Sequence, residues 1–282
     1  MRIFAIIELM GKKILCSTGT IVGRANGFDH TLVSRYGREI CADGLELMMQ
    51  KAYYGNLKEV ARSMERSGLP VRTIHFEKDI TALLGLGGEE DRREGLRLFA
   101  ENADMGRTVG AAAAVFHLWD GRFDGEHLQR GIDLLETLYE ICDKRSLALF
   151  VENVPCRISP YELVCAIAER YPEARFTFDT RHADFIGETA RFFESGLWKK
   201  GIGHLHVSDH CGSTAPGMWG VTRPIVHPGE GKIDFDALFA AMPPFDGEAV
   251  ALESPVMLPD GSHDWEKLNR TLCFLREKMK KY

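Results

Sequence analysis

The feature that most restricts this fold is an alternation of short apolar runs with longer amphipathic ones, sustained from residue 12 to residue 279. Strand-like runs are predicted at 13–22, 44–49, 71–77, 110–119, 147–153, 175–179, 201–209 and 248–254. Helical patterns follow them at 29–40, 56–68, 88–107, 125–146, 159–171, 187–198, 234–242 and 265–279, with a long loop over 210–232 before the seventh helix. Local signals mark two of the helices. Asn56 is a predicted N-cap with Gly68 as the stop, and Ser159 opens the fifth helix with Pro160 at its first position. Eight strand–helix units mean parallel strands, and in 282 residues they suggest a closed barrel. An open doubly wound sheet would carry a GxGxxG turn after its first strand; residues 19–27 read GTIVGRANG instead. The expected fold class is α/β, a single (β/α)8 TIM barrel over residues 1–282. Residues 1–11 are set aside as a possible N-terminal extension.

The polar ends of those strands carry the chemistry. Residues 175–182 read RFTFDTRH, with Phe176 and Phe178 on one face of a strand and Thr177 and Asp179 on the other. Taken alone, this is a half-buried strand closed by an N-cap aspartate, with a histidine nearby. The same parity recurs. Leu149 and Val151 oppose Phe150 and Glu152; Leu205 and Val207 oppose His204 and His206; Val250 and Leu252 oppose Ala251 and Glu253. Ile74 and Phe76 oppose His75, Phe116 and Leu118 oppose His117, and Leu45 and Leu47 oppose Glu46.

In a barrel the apolar face meets the helices, so Glu46, His75, His117, Glu152, Asp179, His206 and Glu253 point inward. They sit at C-terminal strand ends, where barrel enzymes place their active sites. Several acids and imidazoles in one small space are costly unless paired, protonated or bound to a cation. A divalent metal is the economical answer. Carboxylate and imidazole ligands without thiolate suit Mn2+, Co2+, Mg2+ or Zn2+. Glu152, Asp179, His206 and Glu253 come from the last four strands, adjacent in a barrel, and can surround one ion. His75 and His117 come from the opposite wall and more naturally face a substrate.

Composition narrows the class. The net charge is −6. This acidic balance argues against nonspecific binding to nucleic acid or to an anionic membrane. No run approaches the ~20 apolar residues of a spanning helix, and the opening MRIFAIIELM is broken by Glu8 and lacks a cleavage pattern. The seven cysteines are odd in number and include no CxxC pair, which fits a reducing cytoplasm better than a disulfide framework.

VENVP (151–155), FDTRHA (178–183), HLHVSD (204–209), HPGEG (227–231) and LESP (252–255) resemble the successive motifs of the xylose isomerase-like barrel superfamily. That superfamily includes ketose epimerases, hydroxypyruvate isomerases, inosose dehydratases and apurinic endonucleases. The resemblance spans roughly residues 12–280. It implies Glu152, Asp179, His206 and Glu253 as ligands of one divalent ion, with His206 preferred to His204 on this basis alone. It places His182 beside the metal as a substrate contact, and Glu46 and His75 along the pocket. His117, Trp119 and Arg223 are grouped with them as substrate-binding candidates. The implied activity is proton transfer by Glu152 and Glu253 on a small keto sugar, polyol or sugar phosphate, giving isomerisation or epimerisation.

Two alternatives share the scaffold. A dehydratase would use similar residues. An apurinic endonuclease-like phosphodiesterase is similar in having histidines equivalent to His75 and His117, but it carries an Asp-x-His pair where this chain has Arg223 and Ile225, with His227 close by. A barrel that binds a sugar or metal without turnover is a third reading, disfavoured by the presence of both Glu152 and Glu253. The expected partner is a small sugar or keto-acid substrate rather than nucleic acid or membrane, and a homo-oligomer is left open. The HPGEG loop is read either as a backbone cradle for a hydroxyl or phosphate or as a plain turn.

Overall fold

The computed structural model describes residues 12–214 and 224–282. The suggested N-terminal extension and Arg223 lie outside these residues. Eight parallel strands close into a barrel: β1 (Lys13–Ser17), β2 (Gly44–Met48), β3 (Val71–His75), β4 (Ala113–Phe116), β5 (Ala148–Glu152), β6 (Arg175–Asp179), β7 (Ile202–Val207) and β10 (Ala249–Leu252). The ring runs β1-β10-β7-β6-β5-β4-β3-β2 and is sealed by Lys13 pairing with Ala249. Two short strands, β8 (Asp209–His210) and β9 (Ile225–Val226), form an antiparallel ladder in the connection between β7 and β10.

Strand parity explains the closure. Ile14, Leu45, Leu47, Ile74, Ala114, Phe116, Leu149, Val151, Phe176, Phe178, Leu205, Val207, Val250 and Leu252 are buried in one continuous apolar cluster that also contains helix residues. Burying each large side chain contributes ~1.5–3 kcal/mol before chain entropy is counted. The opposite faces fill the barrel, with Leu15, Ala249 and Ala251 as a small separate apolar group. Their small size leaves the interior free for polar groups above them.

The helices follow their caps. The Ser159 hydroxyl accepts the Glu162 backbone N–H at 3.2 Å, with Pro160 at the first turn of Pro160–Arg170. Asn56 precedes Leu57–Arg66, and Gly68 adopts φ +76° just beyond that helix, where glycine is free of the Cβ strain. Two expectations are corrected. The pattern at 88–107 is preceded by a separate helix, Asp79–Gly85, before Glu89–Val109; the glycines at 85, 87 and 88 divide them. The helix expected at 187–198 is two short ones, Thr189–Phe193 and Gly196–Lys200, broken at Ser195, and a further helix, Thr180–Phe185, precedes them across Gly187 (φ +73°). Among the described residues no helix is long and apolar enough to cross a membrane.

The HPGEG loop resolves in favour of the turn. Its backbone amides point at a side chain of the protein: the buried Asp209 carboxylate accepts N–H groups of Gly229 (3.2 Å), Gly231 (2.9 Å) and Ile233 (3.1 Å). The aspartate thus fixes the loop beside the C-terminal end of β7. Asp209→Ala strands those amides and is expected to lower stability by about 2–4 kcal/mol. A urea denaturation midpoint unchanged from wild type contradicts this account.

Candidate metal centre

Each acidic or imidazole group is set by where its strand stops. Glu152 ends β5, Asp179 ends β6, His206 is the penultimate residue of β7, and Glu253 follows the last residue of β10. The register pairs Asp179 with His206 and His206 with Ala251, while Glu152 pairs with Thr177 and Glu253 lies two residues beyond Ala251, so the four side chains converge from neighbouring strands with a stagger. One potential ligand atom from each lies within 4.8 Å of all the others. All four residues are buried; Glu253 is the most accessible, at 8%. His206 Nδ1 is 3.4 Å from Glu152 Oε1 and 3.5 Å from Glu253 Oε2.

The hydrogen bonding leaves this group unfinished. Glu152 Oε1, Asp179 Oδ2, His206 Nδ1 and Glu253 Oε1 are buried with no hydrogen-bond partner. Native proteins rarely leave such atoms unsatisfied, because each costs ~1–3 kcal/mol. Their other atoms are engaged. Asp179 Oδ1 accepts the backbone N–H of His182 at 2.9 Å, capping the helix Thr180–Phe185. Glu152 Oε2 accepts from His117 Nε2 at 2.8 Å. Three carboxylates and one imidazole with open lone pairs fit a divalent cation.

The electrostatics ask for the same charge. Burial opposes a proton on His206, yet the carboxylates of Glu253, Glu46 and Glu152 override it and hold its pKa well above the ordinary imidazole range. Burial pushes Asp179 up to about 6; Arg181 opposes that rise, and Glu152 and Glu253 add to it. Burial would also raise Glu152, but His117 and His206 hold its pKa well below the usual carboxylate range. A site that gathers its own positive charge this way is suited to exchange a proton for a metal ion.

The remaining candidates fall into three sets. His182 lies at the centre, its Nδ1 3.5 Å from Glu152 Oε1 and 4.0 Å from Asp179 Oδ2. Burial, then Arg181, depress its pKa well below the ordinary value, so its ring is neutral. His75 and His117 sit on the far side of Glu152. His75 Nε2 is 3.2 Å from both His117 Nε2 and Glu152 Oε2, and these three residues make a second candidate metal group. His75 Nδ1 is 2.8 Å from the Phe76 carbonyl, which only accepts, so Nδ1 donates to it.

Two placements differ from the sequence expectation. Glu46 does not line an open pocket: it is fully buried against the far edge of the His206 ring, 3.2 Å from Nε2. Trp119 is buried in the main apolar cluster and its indole N–H is bonded to the Val154 carbonyl at 2.6 Å, so it braces the loop after β5. Two residues in the quoted motifs gain roles that sequence did not assign. Asn153 brackets the end of β6, accepting from Asp179 N at 2.7 Å and donating to Asp179 O at 3.3 Å. Arg181 is buried beside the site, donating from Nε to Ser208 Oγ at 3.0 Å, with Nη2 3.5 Å from Asp179 Oδ2. Their polarity next to strand ends was the available signal.

Residues 34–277 match the family described as xylose isomerase-like TIM barrel. The chain belongs to that family. No curated protein sequence matches it. Among solved structures, the apo form of 3-keto-D-glucoside 4-epimerase, YcjR, from E. coli is similar with a TM-score of 0.64 and 18% identity, over 94% of this chain and 99% of that one. The IOLI protein with a bound zinc atom is similar at TM-score 0.69 and 16% identity, over 96% and 99% of the two chains. The probable 3-DHS dehydratase AsbF from Bacillus anthracis is similar at TM-score 0.64 and 14% identity, over 94% and 98%. At these identities the likeness is one of fold.

His227, near the position where the endonuclease-like pattern is missing, belongs to neither metal group. Its Nδ1 meets Ser254 Oγ at 2.8 Å and its Nε2 meets Thr271 Oγ1 at 2.6 Å, so it buttresses the residue after Glu253. Burial, then Lys267, depress its pKa to about 4. The unfolded chain takes up a proton near pH 6.5 that the folded protein refuses until about 4. His227 therefore stabilises the fold above pH 6.5, and that contribution is lost as the pH falls through 6.5 toward 4. Melting temperatures measured from pH 7 to pH 4.5 should fall less steeply in His227→Gln than in wild type; parallel slopes contradict the assignment.

Proposed function

We propose that this protein is a divalent-cation-dependent isomerase or epimerase that moves a proton at a carbon next to a carbonyl in a small keto sugar or polyol, free or phosphorylated. The observation that carries the reading is the pair Glu152 and Glu253. Both are buried carboxylates from non-adjacent strands of the barrel, and both have an Oε1 atom without a hydrogen-bond partner in the same four-residue group.

A proton beside a carbonyl is weakly acidic, so its removal needs a base close to the carbon and a positive charge close to the oxygens. Glu152, Asp179, His206 and Glu253 would hold the cation. When bound, it supplies Lewis-acid stabilisation of the negative charge that develops on the substrate oxygens. Glu152 and Glu253 act as the bases. The His117 hydrogen bond fixes one oxygen of Glu152 and orients the other toward the centre. Glu253 is the most exposed of the four. If the two carboxylates address opposite faces of one carbon, one removes the proton and the other returns it, which inverts the centre. If one carboxylate carries the proton to the neighbouring carbon, the result is aldose–ketose isomerisation. His182, its Nδ1 3.5 Å from Glu152 Oε1, would hold a substrate oxygen. The structures that share this fold include a keto-glucoside epimerase and a protein with a bound zinc atom, which is in keeping with this reading.

A second reading, phosphodiester hydrolysis with more than one ion, is favoured by one observation: His75, His117 and Glu152 form a second three-residue group that shares a carboxylate with the first. Ile225, a half-buried residue of β9, stands where that chemistry expects a further ligand, which weighs against it.

The test is a turnover screen of ketoses and keto-acids with Mn2+, Co2+, Mg2+ or Zn2+, in D2O. Product should carry deuterium at the reacting carbon. Because a general base contributes ~10²–10⁴-fold, Glu152→Gln and Glu253→Gln should each lower turnover by at least that range. Full activity in either variant with metal still bound removes the proton-transfer mechanism. A product one water lighter than the substrate redirects the reading to a dehydratase. Cleavage of abasic DNA, with two or more ions per chain by elemental analysis, replaces it with the hydrolase.

A further inference from the structure

Glu46 is a buried carboxylate that the proposed chemistry does not use. It projects from β2 across the barrel interior toward β7, which is not its neighbour in the ring. It has no solvent exposure. One of its oxygens, Oε2, meets three groups: Thr73 Oγ1 at 2.8 Å, His204 Nε2 at 2.9 Å and His206 Nε2 at 3.2 Å. A carboxylate only accepts, so both imidazoles present an Nε2–H to it. For His206 this leaves Nδ1 as the atom facing Glu152 and Glu253. The ring is thus held by opposite edges, one against Glu46 and one toward the candidate metal group.

We infer that Glu46 is a positioning residue that fixes the tautomer and ring orientation of His206 so that Nδ1 is offered to the cation. This rests on the cation reading above. The geometry also gives His204 and Thr73 a role. Both donate to the same oxygen, so the carboxylate cannot rotate away from His206 without losing their bonds. Buried His204 therefore acts through Glu46 and not as a ligand, which supplies a physical reason for choosing between the two histidines of HLH. Glu46, His204 and His206 also satisfy the spacing of a metal group, but His206 cannot donate from Nε2 to Glu46 and ligate a second ion through the same atom. Carboxylate partners of metal-bound histidines commonly contribute about 10–100-fold in metal affinity.

Competition with a coloured chelator, using Co2+ and Zn2+ as probes, tests the inference without an identified substrate. Glu46→Gln is nearly isosteric and should weaken both ions about 10–100-fold, keep one ion per chain, and shift the Co2+ absorption bands. His204→Gln retains a donor toward Glu46 and should change affinity by less than about 10-fold. Histidine 15N spectra of the zinc-loaded wild-type protein give a second readout that needs no Glu46 variant. His206, assigned by its loss in His206→Gln, should carry its proton on Nε2. Wild-type affinity in Glu46→Gln, or a His206 proton on Nδ1, overturns the inference. A second ion present in wild type and lost in Glu46→Gln overturns it as well, since the trio would then be a metal site of its own. Failure of the cation reading looks different: wild type binds neither ion, or Asp179→Asn binds both as tightly as wild type.

Discussion

Everything near the top of this barrel is arranged around negative charge that the protein does not neutralise by itself. Glu46, Glu152, Asp179 and Glu253 are brought into a space shielded from water, where an isolated carboxylate is strongly disfavoured. His206 answers part of that charge; His117 and His204, whose pKa values burial lowers, donate hydrogen bonds to it, and Arg181 approaches Asp179. Glu46 Oε1, Glu152 Oε1, Asp179 Oδ2, His182 Nδ1, His206 Nδ1 and Glu253 Oε1 still lack hydrogen-bond partners. Such an imbalance fits a divalent cation at the four-residue group.

The barrel is what makes the imbalance sustainable. Closed pairing from β1 through β10 satisfies the strand backbones, and the apolar outer faces supply the burial that holds the acids in place. Precision comes from neighbours of the ligands. Asn153 ties the end of β5 to the end of β6, and the Asp179 carboxylate caps the helix that follows it. His227 packs through Ser254 behind Glu253, and Asp209 gathers the amides of the loop between β9 and the next helix. These contacts limit the motion of groups whose chemistry depends on distances of a few tenths of an ångström.

Membership of the xylose isomerase-like family accounts for the scaffold and leaves chemistry to the site. Glu152 sits at the junction of two candidate groups, one shared with Asp179, His206 and Glu253, the other with His75 and His117. A single proton-transferring carboxylate and a bridging metal ligand would occupy the same position on the same strand. Which role it plays depends on whether the His75–His117 side holds a proton or a second ion.

Much of this was legible in the sequence. Period-two alternation determined which residues of each strand turn inward, and for Glu152, Asp179, His206 and Glu253 inwardness at the strand ends is enough to bring them together, because adjacent parallel strands leave few other arrangements. Turn chemistry was legible where a cap is local, as at Ser159 and Pro160. The tertiary structure decided what lies across the barrel or beyond the strand. Parity says that Glu46 points inward, but only the closed ring shows that it reaches the back of His206 instead of the substrate space. Trp119 could not be placed from its own strand because the partner of its N–H, Val154, lies 35 residues away. The HPGEG amides looked free until Asp209 was brought against them. Periodicity fixes the face a side chain occupies; the partner on that face is set by register and closure, which no local pattern records.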